Sequence, residues 1–258
     1  MENISLKISL IQMNVDCGDF EANLSRAEDM INIALKQRKK PNVLVLPEMW
    51  TSDMRPYNGL PALARLKDVA ARHSVNIVAG SMMESRGEQD IFNTAYIINS
   101  QGMVITSYAQ VHCQRDIRPA ITPGSEAVTF DLDGICCGII LGHDLRFPEF
   151  VRQLAVKGAK VLFVPGMWRG PQEIHWKLLN IVRAIENQFF VAAVNRAGTT
   201  GNVSYPGMSM VVNPWGEVLI EGDHTPDVLT TVINISLVDK VREQNPFLFD
   251  RRPDLYKD

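Results

Sequence analysis

Two rhythms of apolar and polar residues share this chain. Short, mostly apolar runs at 7–14, 43–46, 75–79, 128–132, 135–141, 161–164, 189–195, 209–213, 217–221 and 229–235 predict strands, several apolar throughout and so buried on both faces. Between some of them apolar residues recur every three or four positions. Leu24, Ala27, Ile31, Ala34 and Leu35 mark a helix over 22–37, and Leu63, Leu66, Val69 and Ala70 mark another over 62–73, opened by Pro61. Residues 147–157 and 174–186 complete the helical set. From Ala95 to Tyr108 two β-rich runs flank Asn99-Ser100-Gln101-Gly102, which predicts a hairpin. Residues 109–126, with Pro119, Pro123 and Gly124, read as a long loop, a feature that in a compact domain usually carries function. The tail 240–258 is polar with scattered aromatics and prolines and no regular pattern. It is expected to dock along the surface or on a second subunit, with Phe247, Phe249 and Tyr256 partly buried. Strands joined here by helices and there by hairpins imply mixed sheets, and their number implies two sheets with helices outside both. No internal repeat divides the chain, so 1–258 is read as one α/β domain.

Composition narrows the partners. The 258 residues can bury a full core. Lys plus Arg is 26 against 29 Asp plus Glu, a net charge of −3, with no basic block beyond Arg38-Lys39-Lys40. Nucleic acid is therefore not an expected partner, because a phosphate-binding face needs concentrated positive charge. No apolar run reaches the roughly 20 residues of a membrane span, so no membrane partner is expected. Cys17, Cys113, Cys136 and Cys137 lack metal-knuckle spacing, and reduced thiols in a cytoplasmic protein are the reading. His112, Cys113, His143 and Asp144 do not make a closed ligand set, so neither metal nor cofactor is expected.

Three strands deliver their ends in one style. Val43–Leu46 runs into Pro47-Glu48-Met49-Trp50, Ile135–Leu141 into Gly142-His143-Asp144-Leu145-Arg146-Phe147-Pro148-Glu149, and Val161–Val164 into Pro165-Gly166-Met167-Trp168. Strand ends feeding one edge are where α/β proteins place ligand chemistry. Trp50 and Trp168 are candidate pocket walls, with His143 beside them. Asp144, Arg146 and Glu149 are expected to form an ion-pair network at the turn, and Arg146 is also a candidate anchor for a ligand carboxylate.

Gln12…Gly18-Asp19…Asn23, LPEMW at 46–50, Tyr108-Ala109-Gln110-Val111-His112, HDLRFPE at 143–149 and PWGEV at 214–218, in that order, closely resemble the carbon–nitrogen hydrolase (nitrilase) superfamily, nearest its small ω-amidase-like branch. The resemblance implies a four-layer α-β-β-α sandwich with two mixed β-sheets and a homodimer in which the C-terminal segment crosses the interface. It also implies a Cys nucleophile, a Glu base and a Lys that holds the tetrahedral intermediate. The family glutamate falls on Glu48, the lysine on Gln110, the cysteine on Gly142 and a second glutamate on Ile117. One of four survives. A glycine offers no nucleophile, and a neutral carboxamide cannot supply the charge of an ammonium.

Two functions follow. The leading one is a family homologue with a degenerate Glu-Lys-Cys triad that binds a small metabolite or a partner without normal amide hydrolysis. The other is an active hydrolase of small amides that uses Glu48-activated water or a non-family nucleophile, with Cys113, three residues past Gln110, the candidate thiol.

Overall fold

The computed structural model describes residues 4–51, 61–87, 90–114 and 121–256. In chain order the first half comprises β1 (Ser5–Gln12), α1 (Phe20–Leu35), β2 (Val43–Val45), α2 (Pro61–His73), β3 (Asn76–Ser85), β4 (Ile91–Ile98) and β5 (Val104–Ala109). The second comprises β6 (Thr129–Leu132), β7 (Ile135–Ile139), α3 (Pro148–Val156), β8 (Val161–Gly166), α4 (Glu173–Asn187), β9 (Phe190–Asn195), β10 (Ala197–Thr200), β11 (Val203–Pro206), β12 (Met210–Val212), β13 (Val218–Glu221), β14 (Asp227–Asn234) and α5 (Ser236–Gln244).

These strands build two six-stranded mixed sheets, ordered β14-β1-β2-β3-β4-β5 and β13-β12-β9-β8-β7-β6. Each has three parallel strands at its centre, β1, β2 and β3 in one and β7, β8 and β9 in the other, with antiparallel strands outside. Period-two alternation sorts the side chains between layers. Val43 and Val45 point into the core shared with Ile139, Phe163 and Val191 of the opposite sheet. Leu44 and Leu46 point the other way, against Leu24 and Ile31 of α1 and Leu66 and Ala70 of α2. On the far side Leu154 of α3 and Trp176 and Ala184 of α4 join the inter-sheet core. The layers are therefore helix, sheet, sheet, helix, which is the four-layer sandwich.

Three predictions need amendment. Residues 197–206, for which no element was predicted, form the small β10–β11 hairpin. The tail contains the end of a helix, because Val238 and Val241 give α5 a buried edge that the surrounding charge obscures in sequence. Beyond it, Phe247 is 42%, Phe249 90% and Tyr256 62% exposed in the single chain, so the predicted burial of these aromatics is not provided by their own subunit. Among the described residues no helix is long and apolar enough to cross a membrane.

Candidate functional site

The ends of β2, β5, β7 and β8 meet at one edge of the sandwich. A cavity of about 70 Å³ lies there, lined by Glu48, Gln110, Gln114, Gly142, His143, Arg146, Met167, Trp168, Arg169 and Gln172. That space holds a few water-sized groups or the reacting end of a small molecule.

Glu48 sits on the seam between the sheets. Its backbone N–H donates to Gly166 O of β8 at 3.3 Å. Met49 follows with φ +51°, a left-handed conformation that a side-chain-bearing residue adopts only when its surroundings enforce it. This reversal turns Trp50 away from the cavity. Trp50 is fully buried, packs with the α1 and α2 layer, and donates from Nε1 to Ala79 O at 2.7 Å. It is core and not pocket wall, which corrects the expectation. Trp168 is where a wall was expected: its indole N–H donates to Gly142 O at 3.2 Å, and the Arg146 guanidinium lies 4.3 Å from the ring centroid.

The Glu48 carboxyl is held by neutral groups. Asn93 Nδ2 of β4 donates to Glu48 Oε1 at 2.9 Å and to Gln110 Oε1 at 3.1 Å, while Gln110 Nε2 reaches Glu48 Oε1 and Leu141 O at 3.4 Å each. Burial pushes the Glu48 pKa up to about 7, against the opposing pull of Arg196 and with a further upward push from Asp144. Near neutral pH this carboxyl is a mixture of acid and carboxylate, the state in which a group can both accept and return a proton.

Gly142 opens a short 3-10 turn, Gly142–Arg146, directly after β7. A Cβ on this residue, whose φ is +20°, would lie 2.1 Å from Glu48 Oε2. Glu48 thus occupies the space that a side chain at 142 would need. The turn is fixed by Asp144, which is fully buried. Its carboxylate accepts from Tyr108 Oη at 2.7 Å, from the His112 backbone at 2.8 Å and from the Leu141 backbone at 3.0 Å, and pairs with His112 Nδ1 at 2.9 Å. Arg183 of α4 adds a bond from Nε to Leu145 O at 3.0 Å. Among the described residues no ion pair joins Asp144, Arg146 and Glu149, contrary to expectation. Asp144 serves β5 instead, and Arg146 stacks on Trp168.

Gln110, Gly142, His143, Arg146 and Trp168 are thus brought together with Glu48, and Trp50 is not. Ile117 lies outside the described residues. Cys113 packs with Met49, Met83 and Ile121 and does not line the cavity, and Cys137 is buried in β7. Among the described residues no group of three His, Cys, Asp or Glu could hold a metal ion. Sequence reasoning missed Asn93, Arg169 and Arg196. The first is a lone amide in an apolar strand, and the other two follow strand ends in the same way as Glu48, which was the available signal.

Residues 7–243 match the family model for carbon–nitrogen hydrolases. The chain belongs to the carbon–nitrogen hydrolase family. It is 38% identical to the 2-oxoglutaramate amidase of Bacillus subtilis over 96% of this chain and 98% of that one. It is 30% identical to the omega-amidase NIT2 of Mus musculus, over 98% and 97% of the two chains. Among solved structures, Saccharomyces cerevisiae Nit3, a member of branch 10 of the nitrilase superfamily, superimposes with a TM-score of 0.87 at 26% identity, covering 94% of each chain. Fold and family branch are those the motifs implied. Against the family pattern this carbon–nitrogen hydrolase keeps the glutamate and carries a glycine and a glutamine where the resemblance puts the cysteine and the lysine.

Proposed function

We propose that this carbon–nitrogen hydrolase homologue binds a small anionic metabolite, of the ω-amide or dicarboxylate kind, and does not hydrolyse it by the family's covalent route. The observation that carries this reading is the Glu48 carboxyl standing where the side chain of residue 142 would be, with no thiol and no lysine among the described residues lining the cavity. Arg146 and Arg169 bring two positive charges to the lining, while Glu48, the one carboxyl among the described lining residues, has its pKa raised by burial to about 7. An anionic end of a ligand suits the arginines, and an amide or carboxyl end suits the donor and acceptor pair of Gln110 and Glu48.

A second reading is hydrolysis of small amides by water that Glu48 activates. Two observations favour it: a carboxyl with a pKa near 7 is suited to general base work, and the similar proteins are named amidases. Against it stands the neutral Gln110 at the position where the resemblance puts the lysine that holds the oxyanion, a loss worth roughly 10²–10³ in rate for a single donor.

Ammonia release across a panel of ω-amides, with Glu48→Gln as control, separates the two. The binding reading expects no release above the control, together with saturable quenching of tryptophan fluorescence by dicarboxylates or ω-amides that Arg146→Met weakens. Turnover at ordinary enzymatic rates, abolished by Glu48→Gln, would overturn the binding reading in favour of the second.

Cytoplasmic location and a homodimer belong to the same proposal. The four cysteines are free. The outer face of α4 leaves Ile174, Leu178, Val182 and Ile185 exposed in one row, next to Trp215, and a second copy of the chain is the occupant we propose for that face.

A further inference from the structure

We infer that Arg196 is the positioning residue of this pocket: from the end of β9 it clamps the turn that carries Glu48 and provides the buried positive charge beside that carboxyl. Arg196 is 5% exposed. Its guanidinium donates from Nε to Glu48 O at 2.9 Å and from Nη2 to Met49 O. A planar guanidinium serves two consecutive carbonyls at once, which a lysine cannot reproduce.

The need for such a clamp is local. Met49 is left-handed without being glycine, and the carbonyls on either side of its φ are buried where water cannot satisfy them. Ser81 Oγ accepts the Met49 N–H at 3.0 Å and Gly166 O accepts the Glu48 N–H at 3.3 Å, so Arg196 completes a set of ties that draws on both sheets. It does not line the cavity, so it acts on a ligand through Glu48.

The charge is a second and separate matter. Among the described residues Arg196 makes no salt bridge. The Tyr205 ring centroid lies 5.6 Å away, and Glu48 is one of the groups that favour its charged form. A buried guanidinium without a paired carboxylate is costly to keep unless something uses it. From β4 and β5 Glu48 meets only neutral Asn93 and Gln110. From the turn after β7 come Asp144, His143 and Arg146, and from beyond β8 comes Arg169. Arg196 is thus the cation on the backbone side of Glu48, and it partly replaces the charge absent at Gln110. This holds whether the pocket binds a ligand or hydrolyses one, because it concerns the carboxyl of the free protein.

Glu48 can be titrated directly by carbon-13 NMR on protein labelled at the glutamate side-chain carboxyl, with the resonance assigned by its loss in Glu48→Gln. The full chain would be compared with Arg196→Lys and Arg196→Gln, folding being checked by circular dichroism and Tm by calorimetry. Arg196→Lys is expected to leave the midpoint near that of the native chain while lowering Tm, because it keeps the charge and loses the fork. Arg196→Gln is expected to raise the midpoint by about one pH unit or more. A folded Arg196→Gln with an unmoved midpoint overturns the electrostatic role, and an unchanged Tm in Arg196→Lys overturns the clamp. Should Arg196→Gln not fold, Arg196→Lys decides: a lowered Tm at constant midpoint supports the inference, and a midpoint displaced by a pH unit overturns it.

Discussion

Gly142→Cys restores the family's nucleophile in name, and the structure sets its cost. The added Cβ would lie 2.1 Å from Glu48 Oε2, whereas ordinary contact begins at 3.4 Å, so the carboxyl must retreat by some 1.3 Å. It cannot do so freely. Oε1 is tied to Asn93 at 2.9 Å and the backbone on either side is fixed by Gly166 and Arg196. Overpacking of this kind costs about 1–3 kcal/mol, and a side chain at φ +20° adds about 1 kcal/mol. A total near ~2–4 kcal/mol corresponds to a Tm lowered by roughly 5–15 °C in a chain of this size. Calorimetry of the native chain, Gly142→Cys, Glu48→Ala and the double variant forms a cycle in which the loss of Asn93's partner cancels. With the carboxyl gone, the Gly142→Cys penalty should fall to about 1 kcal/mol, the residual backbone strain. An equal penalty in both backgrounds would refute the claim that Glu48 fills the space of residue 142. No ammonia release is expected from Gly142→Cys alone, since Gln110 supplies no ammonium to stabilise a thiolate or an oxyanion.

Glu48→Gln should alter the pH dependence of stability: a carboxyl raised from 4.5 to about 7 contributes fully below pH 4.5 and loses that contribution as pH rises through 7, a fall of about 3 kcal/mol that urea titrations at several pH values should find missing in the variant. Asp144→Asn replaces an oxygen that accepts from buried donors and should cost about 2–4 kcal/mol by the same assay, with near-native stability counting against the role of Asp144 in fixing the turn. Gln110→Lys places an ammonium within reach of Glu48 and Leu141 O, so the Glu48 midpoint should drop by about one pH unit or more, and Gly142→Cys should be better tolerated beside it. Leu178→Glu on the outer face of α4 should halve the mass seen by light scattering, and a native chain that is already monomeric would end the dimer proposal.

Much of the architecture was legible along the chain. Apolar runs with strand period, helices with a single apolar face and the hairpin at 99–102 specify layers, because burial of one face per element leaves few ways to stack them. The order of motifs located Glu48, Gln110 and Gly142. What a local pattern cannot contain is which side chain fills a given space, and that was decided by the register of two sheets packed face to face. Trp50 follows a strand end as Trp168 does, yet a left-handed Met49 sends it into the helix layer. Asp144 reads as a partner of Arg146 and Glu149 at the turn and is instead buried under Tyr108 and His112, brought there by the end of β5. Arg196 lies 148 residues from Glu48 and meets its carbonyl only because β2 and β9 end at the same edge. The glycine at 142 stands where the resemblance puts the family cysteine. Only the packed structure adds that the Glu48 carboxyl occupies the space a side chain at 142 would need, because the turns after β2 and β7 end at the same edge.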